Sequence, residues 1–309
     1  SRARRFPAHP FFSRKRTVET QGKQGIFDLV RIVVEGIKRM KNKQEYSREH
    51  LLYLRKLKRT NATVHIVRLA VLFLFLILWE LSAHFEWINP FITSSPSRIW
   101  KTLVSLYQNG TLFYHVGTTL WETLLGFFIA VVAGYTIALL LWWSEVFRKI
   151  SEPYLVVLNA LPKIALGPLI IIWCGTGSKA IVFMTVLIGL IVAILNMLNG
   201  FMATDENKLL LLRSMGANKW QILKKLVIPS SLPAFISMLK ISVGMAWIGS
   251  IMGEYIVSKA GIGYLIVYGG QVFKLDLVMT SVVILCVLAA GMYAIVALIE
   301  KAVIKNTDK

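Results

Sequence analysis

The chain has 309 residues, 56% apolar and 17% charged, with a mean hydropathy of +0.62 and a formal net charge of +19. That balance lies outside the range of soluble globular domains, and two cysteines exclude a disulfide-built scaffold. Five scattered histidines, with no G-x-S-x-G, H-E-x-x-H or phosphate-loop spacing, argue against a catalytic chain and against an ATPase carried by this chain itself.

Residues 1–63 read as a basic extension. Positions 1–64 hold 17 lysines and arginines against 5 acidic side chains. No apolar core follows SRARRFPAHPFFSRKR, so this run is not expected to be a cleavable signal. Ile26, Val30, Val33, Ile37 and Met40 recur at helical spacing, and Leu51, Leu54 and Leu57 continue the pattern after a Ser47 cap. Amphipathic helices resting on an anionic inner leaflet account for charge and period together. Nucleic-acid binding uses the charge alone. Only Phe6, Phe11 and Phe12 accompany the first basic cluster, so no nucleic-acid partner is expected.

Six apolar runs follow, at 64–83, 116–143, 154–174, 179–201, 232–257 and 277–299. Each has about the 20 residues that a helix needs to cross the hydrocarbon layer. The expectation is an all-α integral membrane protein with a six-helix domain over 64–300 and a tail over 301–309. Pro162 and Pro168 interrupt the third run, which a span tolerates where neighbours or water satisfy the freed carbonyls. The connectors beside the termini carry 27 lysines and arginines and the opposite connectors 5, which predicts an N-in, C-in arrangement.

Lys163 lies in that third run, in ALPKIALGP. A lysine at mid-depth costs roughly 3 kcal/mol on insertion scales, so Lys163 is expected to face the protein interior or a water-filled path. The connector at 204–230 is patterned beyond what a connector needs. Asp205 or Glu206 caps a helix start, and Leu209, Leu212, Met215, Trp220, Leu223, Leu226 and Val227 form stripes on both sides of Gly216. A glycine there permits a left-handed turn between two short helices. Pro229 and Pro233 are expected to end the second helix and begin the next span. The pattern fits a ridge offered to a partner and equally a helix pair resting on lipid. In the fifth run, Gly249 and Gly253 stand in G-x-x-x-G spacing with Ser242, Ala246 and Ser250, a signature of close helix packing. Lys240 is placed to snorkel, while Trp247 and Glu254 join Lys163 as candidate pathway residues.

RSMGANKWQILKKLVIPSSLP resembles the cytoplasmic signature loop of ABC-importer permeases, E-A-A-x-x-x-G-x(9)-I-x-L-P. Gly216 takes the glycine, Leu226 the isoleucine, Ile228 the leucine and Pro229 the proline. Leu210, Leu211 and Leu212 stand where the pattern has a glutamate and two alanines, with Glu206 one turn earlier. TLWETLLGFFIAVVAGYTIALLL, PYLVVLNALPKIALGPLIIIWCGTGSKA and GMAWIGSIMGEYIVSKAGIGYLI resemble the nitrate/sulfonate/taurine subgroup of these permeases.

The resemblance implies a type I ABC importer permease fold, multi-pass in a bacterial inner membrane. It implies a homodimer with two separate ATPase subunits that use ATP and Mg²⁺, and an extracytoplasmic solute-binding protein docking on 84–115 and 258–276. This chain is then non-catalytic and holds no cofactor. Gly216 sets the helix angle, Leu212, Met215, Ala217 and Trp220 fill the ATPase groove, and Arg213, Lys219 and Lys224 meet its rim. Glu206 and Pro229 complete the loop. The solute is expected to be small and anionic, with Lys163 from two copies supplying a positive field. An ion-gradient transporter or channel is the alternative. It leaves the signature loop unexplained, and no inverted repeat is visible.

Overall fold

The structure, a computed structural model, describes residues 48–307. The helices expected over 26–40 and the Ser47 cap lie outside the described residues. The chain falls into two compact units, residues 1–74 and 75–309. Helix α1, Arg48–His84, is continuous, so the leucines at 51, 54 and 57 and the first apolar run share one element.

In the second unit, the elements after α1 are α2 (Pro90–Thr93), α3 (Pro96–Gln108), α4 (Thr111–Trp143), α5 (Glu145–Ala160) and α6 (Gly167–Cys174). There follow α7 (Ser178–Met202), α8 (Glu206–Ser214), α9 (Lys219–Ile222), α10 (Ile228–Ser230), α11 (Leu232–Val257), α12 (Ile262–Gln271) and α13 (Leu275–Thr307). Among the described residues, five helical stretches are long and apolar enough to cross a membrane: Ile66–His84, α4, α7, α11 and Leu275–Val303.

The third run, expected as a span interrupted at Pro162 and Pro168, is a broken pair, α5 and α6, bent by 84°. The cause is local. Leu161 precedes Pro162 and is held extended at φ −62°, ψ 137°, because the proline ring clashes with a helical residue before it. A 3-10 turn, Lys163–Leu166, follows. Pro168 does not interrupt. It sits in the first turn of α6, where no helical N–H is missed.

Helices α4, α7 and α11 form the packed centre, and small residues set their spacing. A Cβ on Gly249 would lie 2.5 Å from Thr185 Cα, and one on Gly126 would lie 2.4 Å from Thr185 Cγ2. Thus α7 is gripped from both sides at Thr185, and the Gly249/Gly253 face is spent on packing within the chain. Dispersion between close backbones is the main attraction where lipid competes equally for apolar side chains.

The connectors at the end opposite 204–230 are also helical. Ser95 caps α3 and Pro96 opens it. Arg98 then grips Asp276 at the start of α13 through Nε at 3.1 Å and a second nitrogen at 2.8 Å, while Ser94 Oγ donates to the same carboxylate at 2.7 Å. This fork-to-carboxylate geometry fixes α3 against α13.

Candidate functional site

The segment 205–230 folds as two short helical arms about Gly216. Asp205 caps α8, its side chain accepting from the Asn207 N–H at 2.9 Å. The arm ends at Met215, and Gly216 adopts φ +78°, the left-handed conformation expected of it. The Ala217 N–H donates to Leu212 O at 3.0 Å, closing the turn. Asn218 and Gln221 then form a reciprocal capping box, at 2.8 and 2.9 Å, which starts the second arm.

Pro229 does not end that arm. The helix widens into a π turn over Leu223–Val227, with the Ile228 N–H reaching Leu223 O five residues back. Normal spacing returns with Ser231 donating to Val227 O at 2.9 Å. A proline inside a helix lacks one N–H and crowds the carbonyl four residues earlier. The wide turn accommodates both at Pro229.

The two arms face different surroundings. Ile222, Leu223 and Val227 are buried in a cluster with Ala138 and Leu141 of α4, Met197 and Phe201 of α7 and Met238 of α11. Leu212 and Ala217, expected to fill a partner's groove, pack on this same cluster. Leu210, Leu211, Met215 and Trp220 form the exposed apolar face instead, with Met215 73% accessible. Helical period specifies a stripe but not which body covers it. Glu206, Arg213 and Lys224 are exposed. Glu206, Arg213 and Lys219 line a cleft of about 540 Å³ with Trp142, Glu145 and Arg148. The Lys219 ammonium, expected on a partner's rim, donates to Trp143 O and lies 5.9 and 5.5 Å from the centres of the Trp142 and Trp143 rings.

The three candidate pathway residues are not brought into one site. Lys163 is half-buried at the α5–α6 bend and donates to Asn159 O at 3.1 Å. Trp247 is buried in a cluster with Val243, Met292 and Val296. Its Nε1 has no hydrogen-bond partner among the described residues. Glu254, 1% exposed, lies nearer the far end of α11 and accepts from the Gly263 N–H at 2.5 Å.

Sequence reasoning missed the neighbour of Glu254. Glu122 of α4 is equally buried and lies beside it, and one carboxylate oxygen of each has no hydrogen-bond partner among the described residues. Neither joins an ion pair among the described residues. Around them, Ile262 N–H donates to Thr119 Oγ1 at 2.7 Å and Gly261 N–H to His115 Nδ1 at 3.1 Å. The start of α12 is thereby tied to α4. The available signal was an acidic residue within an apolar run, which marks an interior-facing position.

The comparisons with known proteins agree with this geometry. Residues 124–307 match the family described as binding-protein-dependent transport system inner membrane component. The chain belongs to that family. It is 32% identical over 189 residues to the formylaminopyrimidine transport permease protein ThiX of Halalkalibacterium halodurans, covering 61% of this chain and 75% of that one. It is 25% identical over 232 residues to the taurine transport system permease protein TauC of Escherichia coli, covering 74% and 83%. Among solved structures, an inward-facing form of the MetNI methionine ABC transporter aligns with a TM-score of 0.54 at 21% identity, over 61% of this chain and 94% of that one. A bacterial ABC transporter that imports alginate aligns with a TM-score of 0.56 at 14% identity, over 81% and 99%. The fold is that of a type I ABC importer permease, and the chain is a multi-pass membrane transport subunit of an ABC importer.

Proposed function

We propose that this permease forms the translocation pathway for a small anionic solute and couples it to a separate ATPase through residues 205–230. In this reading the segment lies in the cytoplasm with both termini, in a bacterial inner membrane. A second copy completes the pathway, two ATPase subunits consume ATP and Mg²⁺, and an extracytoplasmic binding protein delivers the solute. The observation that carries the proposal is the two-armed segment itself. One arm is locked into the α4–α7–α11 core, while Leu210, Leu211, Met215 and Trp220 stand in solvent around a left-handed glycine. A contiguous apolar face on an otherwise basic surface is the mark of a protein contact. The names of relatives, which span taurine, aliphatic sulfonates and a formylaminopyrimidine, support a small polar solute.

The test is capture. Detergent-solubilised permease, co-expressed with the ATPase encoded beside it, should purify as a complex with that ATPase. Met215→Asp should lose at least ten-fold in capture, about 1.4 kcal/mol, by placing a charge in the apolar contact. Undiminished capture by this variant refutes the assigned face.

A further inference from the structure

The position of Lys219 is at odds with its local helix. It is the first residue of α9, where the unpaired N–H groups repel a cation. The reason for a lysine there lies across the fold, at the end of α4. Ser144 leaves the helical conformation at φ −120°, ψ 107°, and both ends α4 and caps α5. The Phe147 N–H, which would reach Trp143 O in a continuing helix, donates to Ser144 Oγ at 3.3 Å instead. Trp143 O is thus free to accept from Lys219 Nζ, which it does. The same ammonium lies over both indole faces, and the Trp143 ring meets the Trp220 ring at 6.3 Å. A cation placed at a helix C-terminus between two aromatic faces is held by three attractions at once.

We propose that Lys219 is a positioning residue: it ties the 205–230 segment to the end of α4, so that displacement of the segment carries α4 with it. The tie is placed where it matters mechanically. Gly216, three residues earlier, forms the turn between the arms at φ +78°, with nothing within 4 Å of where a Cβ would stand. Without the tie, the start of α9 depends on the core packing of Ile222 and Leu223 further along, so a push on the outer arm shifts the turn and the start of α9 against the end of α4. With it, the push reaches Trp143, and through Ser144 the bent α5–α6 pair that carries Lys163. The role rests on the coupling reading above and differs from direct ATPase contact, because the ammonium is engaged within its own chain.

The experiment measures whether the two elements move as one body. Spin labels are placed at Asn207 of α8, outside the apolar face, and at Val146, both exposed, in full-length permease whose Cys174 and Cys286 are replaced by serine. The complex with its ATPase is compared without nucleotide and with ATP plus vanadate, by pulsed electron resonance. The distance between labels should stay constant in the parent protein and in Lys219→Arg, which keeps the cation. Lys219→Met should let it shift and broaden on nucleotide closure. Trp143→Leu, which removes one ring but keeps the carbonyl, should give a smaller shift in the same direction. An unchanged distance in Lys219→Met, or a shift in the parent protein, overturns the tie. So does loss of ATPase capture by Lys219→Met, since that places the lysine in the partner's groove. Parent protein that captures no ATPase defeats the importer reading instead, and is recognised before any label is read.

Discussion

At Gly216 the sequence was most legible. A lone glycine between two apolar stripes demands little explanation except a left-handed turn, and its φ of +78° supplies that turn. The space around it is open, so substitution is limited by backbone strain and not by collision. A β-branched residue at that φ costs about 1–2 kcal/mol, and the angle between the arms changes to relieve it. Gly216→Val should therefore collapse solute uptake and solute-stimulated ATP hydrolysis while the helical domain still inserts. Gly216→Asn, whose side chain tolerates the left-handed region, should retain most of both. Equal activity in the two variants, assayed in reconstituted vesicles, would show that the turn angle is immaterial. Residue directions were less legible. Leu212 belongs to the same periodic stripe as Met215, yet packs on the core cluster, as Ala217 does. Distinguishing them needs the position of α4 and α7, which no local pattern contains.

At the scale of elements, length and hydropathy located the spans, and their breaks followed from proline chemistry that needs exact placement. Pro162 bends its segment by 84° because it follows a residue that must stay extended, whereas Pro168 and Pro233 open helices without disturbance. The small residues of α11 announced close packing but not their partner. That partner is α7, and the contact at Gly249 is with backbone, which cannot swing aside. Gly249→Ala should force α7 and α11 apart and destabilise the permease by about 1–3 kcal/mol, the usual cost of overpacking. Gly244→Ala is the matched control on the same helix, since nothing lies within 4 Å of the added carbon. Thermal unfolding in detergent, followed by tryptophan fluorescence, should separate the pair clearly. Coincident curves would mean that the α7–α11 contact yields at little cost.

Across the whole molecule, the distribution of charge within the spans bears on what is carried. The sequence offers Lys163 and Glu254 as interior charges and places Lys240 to snorkel, and the structure supplies the partners of each. Lys240 is matched by Glu300 on α13 at 2.6 Å, so that pair adds little net field. Glu254 is held by the backbone of α12, through the Gly263 N–H. Lys163 differs, because its contacts, Asn159 O and Oδ1, are neutral acceptors that leave its positive charge uncompensated. It also stands at the bend between α5 and α6, where the backbone is irregular, and irregular backbone at membrane depth is stable only against protein or a water-filled cavity. An anion moving past that bend meets attraction in the parent protein and repulsion when the sign is reversed. Lys163→Glu should therefore abolish uptake of a labelled anionic solute that the parent transports, in vesicles containing the complete transporter, while the permease still assembles with its ATPase. Replacing both Lys240 and Glu300 by leucine removes no net charge and should leave uptake within a few-fold of the parent. If Lys163→Glu transports that anion normally and the leucine pair does not, the field that the solute senses lies at the α11–α13 contact, and the bend is a structural feature alone.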